Sequence, residues 1–474
     1  MPHHLNQKDP YGELLTEAAA RANNYLRTIQ ERHVGVPQDA VDKLALLGGN
    51  LPERGENPRN VLQLLDDIGS PATIATMGRR FFGGVIGGAF PMSVAAHWLA
   101  DAWDQNACLF DFSPVAAYLE DVVLNWLLRL LGLPLTSGGA FVTGTQMADV
   151  TCLAAARYSV LSKTGWDVDQ HGLFGAPQVT VIVGEEVHAT MVKALRMLGF
   201  GNSQLRLVAT DSQGRMKASK IPAVSGPVIV CAQVGNVNTG ASDSIGEICE
   251  VAHEMSAWVH VDGAFGLWAA ASPARKHLVN GVHQADSWAT DAHKWLNVPQ
   301  DSGVAFVREP QILQRAMNIA AAYYPDPNTA KREPMQWGPE SSRRARAIEI
   351  WATLRALGSN GVADLIEGTC NHAAKFAEGL RAAGFEVLND VVLNQVLVSF
   401  GSDEVTSRVI QAIQDEGTCW CGGTNWKGRK AMRISVSSWA TTDRDVTRSL
   451  EAMLKIAHEK AENAKPERKE LCVN

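Results

Sequence analysis

The chain has 474 residues, of which 46% are hydrophobic and 20% are charged, and its formal net charge is −7. This length allows two or three domains with large buried cores, and the composition is typical of a soluble globular enzyme. The negative charge argues against nucleic acid or an anionic membrane surface as the main partner. No apolar run has the length of a membrane-spanning helix, since Asn125 and Arg129 interrupt the nearest one, from Val122 to Leu135.

The N-terminal residues show no signal-peptide pattern of basic residues followed by an apolar stretch. The eight cysteines do not form a disulfide framework, and most lie in apolar or helical contexts that indicate small buried side chains. Cys419 and Cys421 form the one tight pair, but the sequence offers no second nearby Cys or His pair to complete a zinc site. We therefore expect a reduced, cytoplasmic protein without a bound metal ion.

Residues 1–85 are predicted to form an N-terminal helical arm. One helical period runs from Leu14 to Leu26, and a second covers Val61 to Ile68. The arm has too little apolar content to build a core of its own. We therefore expect it to pack on another surface, such as a second subunit.

Residues 86–341 alternate between helices and short apolar strands, beginning with a strongly apolar helix from Val115 to Leu131. Strands are predicted at 179–183, 205–209, 228–232, 257–261 and 303–307, with helices at 187–198 and 245–255. Apolar runs without polar alternation indicate a sheet that is covered on both faces. The pattern predicts a large, doubly wound α/β domain with a mainly parallel sheet.

The segment from about 310 to 340 is polar and rich in proline, which predicts a mobile connection. Residues 321–339 of this connection are predicted to form a lid. A long helix is predicted from Ser342 to Leu357, ended by Gly358. Residues 342–474 are predicted to form a small α+β domain, with helices at 370–383, 405–415 and 445–457 and strands at 395–400 and 432–436.

Asp262 and Lys294 suggest the chemistry of the chain. Asp262 ends a predicted buried strand, and Lys294 follows the next strand, between His293 and Trp295. A lysine amine can hold the aldehyde of pyridoxal 5'-phosphate (PLP) as a Schiff base. A carboxylate can keep the pyridine nitrogen protonated, so that the ring accepts electrons. The alternative is a solvated lysine and an aspartate that caps a helix.

A second candidate segment, Thr143 to Asp149, combines a glycine turn with hydroxyl and amide side chains at the start of a predicted helix. Free backbone N–H groups and the helix dipole favour a phosphate at such a position. A plain helix cap by Thr143 or Thr145 is the alternative.

Polar residues also follow two other predicted strands, at the sheet edge where ligands bind in such folds. His188 follows the strand at 179–183, and its flat imidazole could stack on a pyridine ring or simply form hydrogen bonds in a loop. Gln233 and Asn236 follow the strand at 228–232 and could contact the cofactor hydroxyl or Asp262, or could cap the next helix.

The order of these segments resembles the PLP decarboxylases of the group that includes aromatic amino acid, glutamate and histidine decarboxylases. The resemblance covers roughly residues 60–455. It is carried by 112–120 (Ser-Pro before Glu120), 260–265 (His-Val-Asp-Gly-Ala-Phe), 291–295 (Asp-Ala-His-Lys-Trp) and 342–346 (Ser-Arg-Arg-Ala-Arg).

The resemblance implies PLP fold type I, the aspartate-aminotransferase fold, in a homodimer whose N-terminal arms embrace the partner. It implies decarboxylation of an L-amino acid to the amine and CO2. Lys294 would carry the cofactor, Asp262 would pair with the pyridine nitrogen and His188 would stack on the ring. The remaining implied contacts, to the phosphate, come from Thr145, Gln146 and His293.

The sequence departs from the family in the mobile loop, where aromatic amino acid decarboxylases carry a proton-donating tyrosine. That position falls near Pro334 here, and the nearest tyrosines are Tyr323 and Tyr324. These two are our candidate proton donors, with His188 next. A decarboxylation-coupled aldehyde synthase, a C–C lyase or an inactive homologue remain alternatives on the same fold.

The substrate is left open between aromatic and acidic amino acids. Phe81 and Phe82 lie in a stretch that resembles the pocket-lining segment of the family, and they could face an aromatic substrate. Arg79 or Arg80 could hold an acidic one. The alternative is that the phenylalanines are core residues and the arginines are solvated.

Overall fold

A computed structural model describes residues 11–319 and 331–462 of the chain. The N-terminal arm contains the helices α1 (Gly12–Thr28), α2 (Gln38–Lys43) and α3 (Pro58–Gly69). Neither α1 nor α3 contains a buried residue. Arg21 of α1 pairs with Asp66 of α3 at 2.9 Å, so polar contacts join the two helices in place of a core.

The central sheet of the described residues has seven strands: β1 (Gly138–Val142), β2 (Thr180–Gly184), β3 (Leu205–Val208), β4 (Val228–Gln233), β5 (Trp258–Asp262), β6 (Ser287–Asp291) and β7 (Gly303–Val307). Their order is β1-β7-β6-β5-β4-β2-β3. The strands β2 to β6 pair in parallel, and β7 runs antiparallel to both β1 and β6. The mainly parallel sheet predicted from the sequence is confirmed.

Both faces of this sheet are covered, because successive side chains of a strand point to opposite faces. On β4, Val230 belongs to one apolar core and Ile229 to the other. The helices of this domain are α4 (Pro91–Trp103), α5 (Pro114–Leu130), α6 (Thr145–Ser162), α7 (Val168–His171), α8 (Ala189–Met197), α9 (Ile245–Glu254) and α10 (Pro310–Met317). The sheet is therefore doubly wound.

A long helix, α11 (Ala347–Ala382), connects the large and small domains. It is interrupted at Gly358, which has a φ of 64°, a left-handed conformation that glycine adopts without steric cost. Ile350 and Cys370 of this helix belong to the core of the large domain, whereas Phe376 belongs to the core of the small domain. The change of core thus lies inside the helix, later in the chain than the predicted boundary at residue 341.

The small domain carries a second sheet, ordered β10-β11-β9-β8 in the described part of the chain. Its elements are β8 (Glu386–Val387), β9 (Gln395–Ser399), α12 (Asp403–Glu416), β10 (Gly422–Trp426), β11 (Arg429–Ser435) and α13 (Asp443–Glu462). The strands pair antiparallel, as expected for a small α+β domain. No helix in the described ranges is long and apolar enough to span a membrane.

The predicted mobile lid needs a correction over its second half. Arg332 and Glu333 are 8% and 4% exposed, and the residues up to Gln336 are also buried. Arg332 pairs with Glu120 at 3.0 Å, and Glu333 accepts a 2.7 Å hydrogen bond from the N–H of Phe110. The polar composition predicted a mobile loop, but Arg332 and Glu333 are buried because each forms an ion pair or a hydrogen bond inside the protein. Residues 320–330, with Tyr323 and Tyr324, lie outside the described residues.

Candidate active site

The carboxyl ends of β1, β2, β4, β5 and β6 meet at one edge of the sheet, where a cleft of about 410 Å³ opens. Ligands bind at this edge in open α/β sheets. The cleft brings together seven of the predicted site residues: Thr145, Gln146, His188, Gln233, Asp262, His293 and Lys294. It is also lined by Gly84, Val85, Gly144, Thr190, Gly235, Val237, Ala264, Phe265, Asp291 and Arg433.

The N-terminus of α6 forms a close-fitting cradle at one end of the cleft. A Cβ atom on Gly144 would lie 3.0 Å from the ring of His293, and one on Gly303 would lie 2.5 Å from the backbone of Gly144. The hydroxyl of Thr145 is buried and has no hydrogen-bond partner among the described residues. Unsatisfied donors at a helix N-terminus are suited to a phosphate group.

Lys294 lies in the turn after β6, with its amine 2.8 Å from a carboxylate oxygen of Asp291. The other oxygen of Asp291 accepts a 2.6 Å hydrogen bond from the N–H of Thr145 and lies 3.6 Å from His293. Asp291 therefore joins the candidate cofactor-binding lysine to the candidate phosphate cradle.

Asp262 ends β5 and is 6% exposed, with one oxygen accepting a 3.1 Å hydrogen bond from the N–H of Ala264. Burial raises the pKa of the Asp262 carboxyl, while the nearby His188 and Lys294 oppose that rise. A cation placed against this carboxylate would favour the charged form. A protonated pyridine nitrogen supplies such a charge.

His188 caps the N-terminus of α8. Its Nδ1 accepts a 3.3 Å hydrogen bond from the N–H of Thr190 and lies 2.6 Å from the hydroxyl of that residue. Burial lowers the pKa of the His188 imidazole. An Nδ1 that accepts from a backbone N–H carries no proton, so the ring is neutral with its hydrogen on Nε2. A flat neutral ring at the cleft suits stacking on an aromatic cofactor.

Gln233 and Asn236 have different environments, although both follow β4. Gln233 lines the cleft. The Oδ1 of Asn236 accepts hydrogen bonds from the N–H groups of Asn238 and Thr239, at 2.9 and 3.2 Å. The amide of Asn236 thus closes its own loop, and it is not among the described residues that line the cleft. The predicted cofactor contact by Asn236 is replaced by this local role.

Phe81 and Phe82, the predicted substrate contacts, are buried and are not among the described residues that line the cleft. Phe81 stacks on Trp420, with ring centroids 5.2 Å apart, and Phe82 packs edge-on against Phe376 in the core of the small domain. Arg80 is also buried, donating to the carbonyl of Thr418 at 2.7 Å. The segment does reach the cleft, but through the next residues, Gly84 and Val85.

Asp291, Val85 and Arg433 are residues of the cleft that were not predicted as site residues from the sequence. Asp291 begins the motif at 291–295, in which only His293 and Lys294 were predicted to contact the cofactor. Val85 has a φ of 59°, which no sequence pattern predicts for a β-branched residue. Arg433 comes from β11 of the small domain, where an arginine in a short strand gives no signal of its own.

The donor set fits PLP. Thr145, Gln146 and His293 would hold the phosphate, His188 would face the ring, Asp262 would meet the pyridine nitrogen, and Lys294 would bind the aldehyde. Bound PLP supplies an electron sink for the bond that is broken at the substrate α-carbon. The described residues would orient this group, with the Lys294 amine held 2.8 Å from Asp291.

Comparisons with known proteins agree with this site. Residues 44–401 match the pyridoxal-dependent decarboxylase conserved domain. The aromatic-L-amino-acid decarboxylase of Bacillus atrophaeus is 26% identical, over 86% of each chain. The acidic amino acid decarboxylase GADL1 of Xenopus tropicalis is 28% identical, over 80% of this chain and 75% of that protein.

Solved structures show the same fold. The structure of Oryza sativa TDC with PLP and tryptamine is 22% identical and aligns with a TM-score of 0.88, covering 97% of this chain and 99% of that one. The structure of mouse CSAD is 20% identical, with a TM-score of 0.85 and coverage of 94% and 98%. The chain belongs to the pyridoxal-dependent decarboxylase family and is a carboxy-lyase that uses PLP to decarboxylate an amino acid.

Proposed function

We propose that the substrate is an acidic L-amino acid whose side-chain carboxylate is held by Arg433. The observation that carries this proposal is the position of Arg433, which lines the cleft together with His188 and Lys294. Its guanidinium forms no ion pair with any residue of the described ranges. Burial lowers the pKa of Arg433, so a carboxylate that joins it would recover electrostatic energy.

Arg433 suits a side-chain carboxylate better than the α-carboxylate that is lost. An ion pair to the departing group is present in the ground state and disappears as CO2 forms, so it would raise the barrier. A distal carboxylate keeps its charge throughout the reaction. An ion pair to that group therefore anchors the substrate without opposing the chemistry.

The packing of the segment from Phe81 to Val85 supports the same choice. Phe81 and Phe82, the residues that favoured an aromatic substrate, are packed in the core. The lining segment instead offers Gly84 and Val85. Three relatives are named as acidic amino acid decarboxylases, although others are named for aromatic substrates.

The test compares the wild-type enzyme with Arg433→Met and Arg433→Lys on acidic and aromatic amino acids, with CO2 as the readout. We expect the wild type to prefer aspartate or glutamate, and Arg433→Met to lose about 100-fold or more in kcat/KM. Arg433→Lys should recover part of the loss. Preferential turnover of aromatic amino acids by the wild type would refute the assignment.

The roles of the individual residues are part of the proposal. Lys294 binds the cofactor, and Asp291 orients the lysine amine through their 2.8 Å contact. Asp262 keeps the pyridine nitrogen protonated, and His188 stacks on the ring. Thr145, Gln146 and His293 bind the phosphate, and Gln233, which lines the cleft, contacts the cofactor hydroxyl.

We further propose that the product is the amine, with Tyr323 or Tyr324 as proton donor. Both tyrosines belong to the connection between α10 and the buried residues Arg332 and Glu333. The test measures amine, aldehyde and peroxide from Tyr323→Phe and Tyr324→Phe. An unchanged rate and product ratio in both variants would move the role to His188.

The protein is proposed to be a homodimer. The arm, the helices α4 and α5 and the connection between these helices expose many large apolar side chains. Those exposed by 45% or more include Leu15, Leu46, Leu51, Leu65, Trp98, Leu99, Trp103, Phe112 and Tyr118. An apolar surface of this extent marks an interaction site, and the occupant we propose is a second copy of the chain. A monomer by light scattering at micromolar concentration, with cofactor and activity intact, would refute it.

The proposed location is the cytoplasm. All seven cysteines of the described ranges are free and buried, including Cys419 and Cys421. Free thiols are typical of reducing compartments. Fractionation of the producing cell, with an antibody against the chain, tests the proposal.

A further inference from the structure

A chain of buried polar side chains lies directly beneath the cleft. Asp149 of α6 places Oδ1 3.1 Å from Nε2 of His260 on β5. The Nδ1 of His260 lies 2.9 Å from the hydroxyl of Ser287 on β6, which accepts a 2.8 Å hydrogen bond from the indole of Trp258. Asp149, His260 and Ser287 are all 0% exposed, so water does not compete for these contacts.

These contacts join the elements that carry the two ends of the cofactor site. Asp149 lies one turn after Thr145, on the same side of α6, because residues four apart face the same way. His260 precedes Asp262 by two positions on β5, so both side chains point to the same face. The Asp149–His260 hydrogen bond therefore ties the helix that would bind the phosphate to the strand that would bind the pyridine nitrogen.

The surroundings of Asp149 favour a neutral carboxylic acid. Its Oδ2 is buried and has no hydrogen-bond partner among the described residues, so His260 is the one polar contact of the carboxyl. A buried carboxylate with one donor is expensive, whereas an unpaired acid carbonyl costs much less. Burial and the neighbouring Asp262 and Asp291 raise the pKa of Asp149 well above its usual range.

The protons can be assigned along the chain of contacts. If Asp149 is the neutral acid, its hydrogen points from Oδ1 to Nε2 of His260, which accepts it. His260 then carries its own hydrogen on Nδ1 and donates to the hydroxyl of Ser287. Burial lowers the pKa of His260 to about 3, so the ring takes no second proton near neutral pH.

We propose that Asp149 is a positioning residue which, as a neutral carboxylic acid hydrogen-bonded to His260, fixes the phosphate-binding helix on the strand that carries Asp262. A neutral Asp149 also adds no negative charge beside Asp262. An ionised neighbour would raise the pKa of Asp262 and weaken its hold on a protonated pyridine nitrogen. The inference rests on the use of PLP and is independent of the substrate.

The first test titrates PLP into the full-length apoenzyme and into three variants, following fluorescence. Asp149→Asn keeps a donor to Nε2 of His260 and should bind PLP within about threefold of wild type, whereas Asp149→Leu removes the donor and should bind roughly tenfold or more weakly. Thr151→Val is the matched control, because it removes a buried hydroxyl from the same helix without touching His260.

Three results of the titration would overturn the proposal. Asp149→Leu with wild-type affinity would show that the contact does not position the site. Equal losses in Asp149→Leu and Asp149→Asn would show that a neutral donor is not what the site needs. An equal loss in Thr151→Val would show a general effect of weakening the helix.

The second test does not depend on whether any variant binds the cofactor. Nitrogen-15 NMR of histidine-labelled wild-type enzyme, assigned with His260→Gln, reports which ring nitrogen carries hydrogen. The proposal requires hydrogen on Nδ1 and a bare, hydrogen-bonded Nε2, with and without PLP. Hydrogen on Nε2 would mean that Asp149 is ionised, and the proposal would fall.

Discussion

The amine of Lys294 lies 2.8 Å from Asp291, and the same carboxylate accepts a 2.6 Å hydrogen bond from the N–H of Thr145. The buried carboxylate of Asp291 thus contacts the amine of the candidate cofactor lysine. It also accepts a hydrogen bond from the first backbone N–H of the candidate phosphate-binding helix. The amine is consequently oriented by the same residue that orders the cradle. A flexible lysine gains a defined direction from this contact, which is the condition for productive reaction geometry.

Replacing Lys294 by alanine should abolish turnover and covalent attachment of the cofactor while leaving the fold intact. No other amine among the described residues lines the cleft. Borohydride reduction followed by mass spectrometry measures the attachment, and circular dichroism measures the fold. Lys276→Ala, an exposed lysine outside the cleft, serves as the control. A reducible protein–cofactor link in Lys294→Ala would contradict the assignment.

Replacing Asp262 by alanine should leave some cofactor bound but remove most of the activity. The carboxylate stabilises a cation at the pyridine nitrogen, and without it the ring is a poorer electron sink. We expect a loss of about 100-fold or more in kcat, with a smaller loss in PLP affinity. The measurements are single-turnover kinetics and a PLP titration. Turnover near that of wild type would place the acid elsewhere.

The sequence predicted the part of the site that lies at strand ends of the large domain. Thr145, His188 and Asp262 each follow a short apolar strand, so their common edge follows from the parallel sheet. Lys294 follows β6 in the same way. Local sequence determines such positions because each residue is placed by the strand that it follows.

The rest of the site depends on contacts between distant parts of the chain. Arg433 reaches the cleft from the other domain, and its role depends on how the two domains pack. Phe81 is removed from the cleft by stacking on Trp420, which no local pattern reveals. Arg332 and Glu333 likewise have the composition of an exposed loop, and only their buried partners explain their burial.

Val85 lines the cleft and has a strained backbone. Because of this strain, we predict that glycine is a more stabilising replacement than alanine at this position. Its φ of 59° is a conformation in which a Cβ atom is unfavourable. A Cβ atom added to Gly83 would clash with the ring of Trp420, and one added to Gly87 would clash with the backbone of Ser437, so the segment around Val85 is closely packed. We expect Val85→Gly to be more stable than Val85→Ala by about 1 kcal/mol, the reverse of the usual order.

Urea unfolding of the two Val85 variants measures this difference, and substrate profiles measure the effect on the cleft. Both variants remove side-chain volume from the lining, so both should accept longer amino acids than wild type does. A more stable Val85→Ala would show that the strain is absent. Unchanged substrate profiles would show that Val85 does not contact the substrate.

The buried, neutral His260 should contribute a loss of stability in mild acid, while the raised pKa of Asp149 contributes in the opposite direction. The His260 contribution is therefore read from the difference between wild type and a His260 variant. The pKa of His260 is lowered by burial from 6.5 to about 3, so the unfolded chain binds a proton that the folded protein does not. The stabilisation is complete above pH 6.5 and is lost progressively as the pH falls towards 3. Between pH 7 and 5 we expect this residue to account for about 2 kcal/mol of lost stability.

The measurement is urea unfolding of wild type and His260→Gln at several pH values between 7 and 5. The variant is expected to be less stable at pH 7, because it loses the contacts to Asp149 and Ser287. Its decline with acid should nevertheless be shallower. A decline as steep as that of wild type would mean that His260 is accessible to protons in the folded state.

Glu120 is expected to be the most sensitive ion-pair residue of the large domain. It is 1% exposed and pairs with Arg332 at 3.0 Å and with Arg343, whose side chains are 4% and 3% exposed. Glu120→Gln leaves the buried Arg343 without a carboxylate partner and leaves Arg332 with only the exposed Asp121, which should cost about 3–5 kcal/mol of unfolding free energy. Asp121→Asn is the matched control, because Asp121 is the next residue on α5, lies 3.6 Å from the same Arg332, and is 53% exposed. An exposed pair contributes little, so this control should change stability by about 0.5 kcal/mol or less. Urea unfolding of the two variants measures both values, and equal effects would mean that burial does not set the strength of the Glu120 pairs.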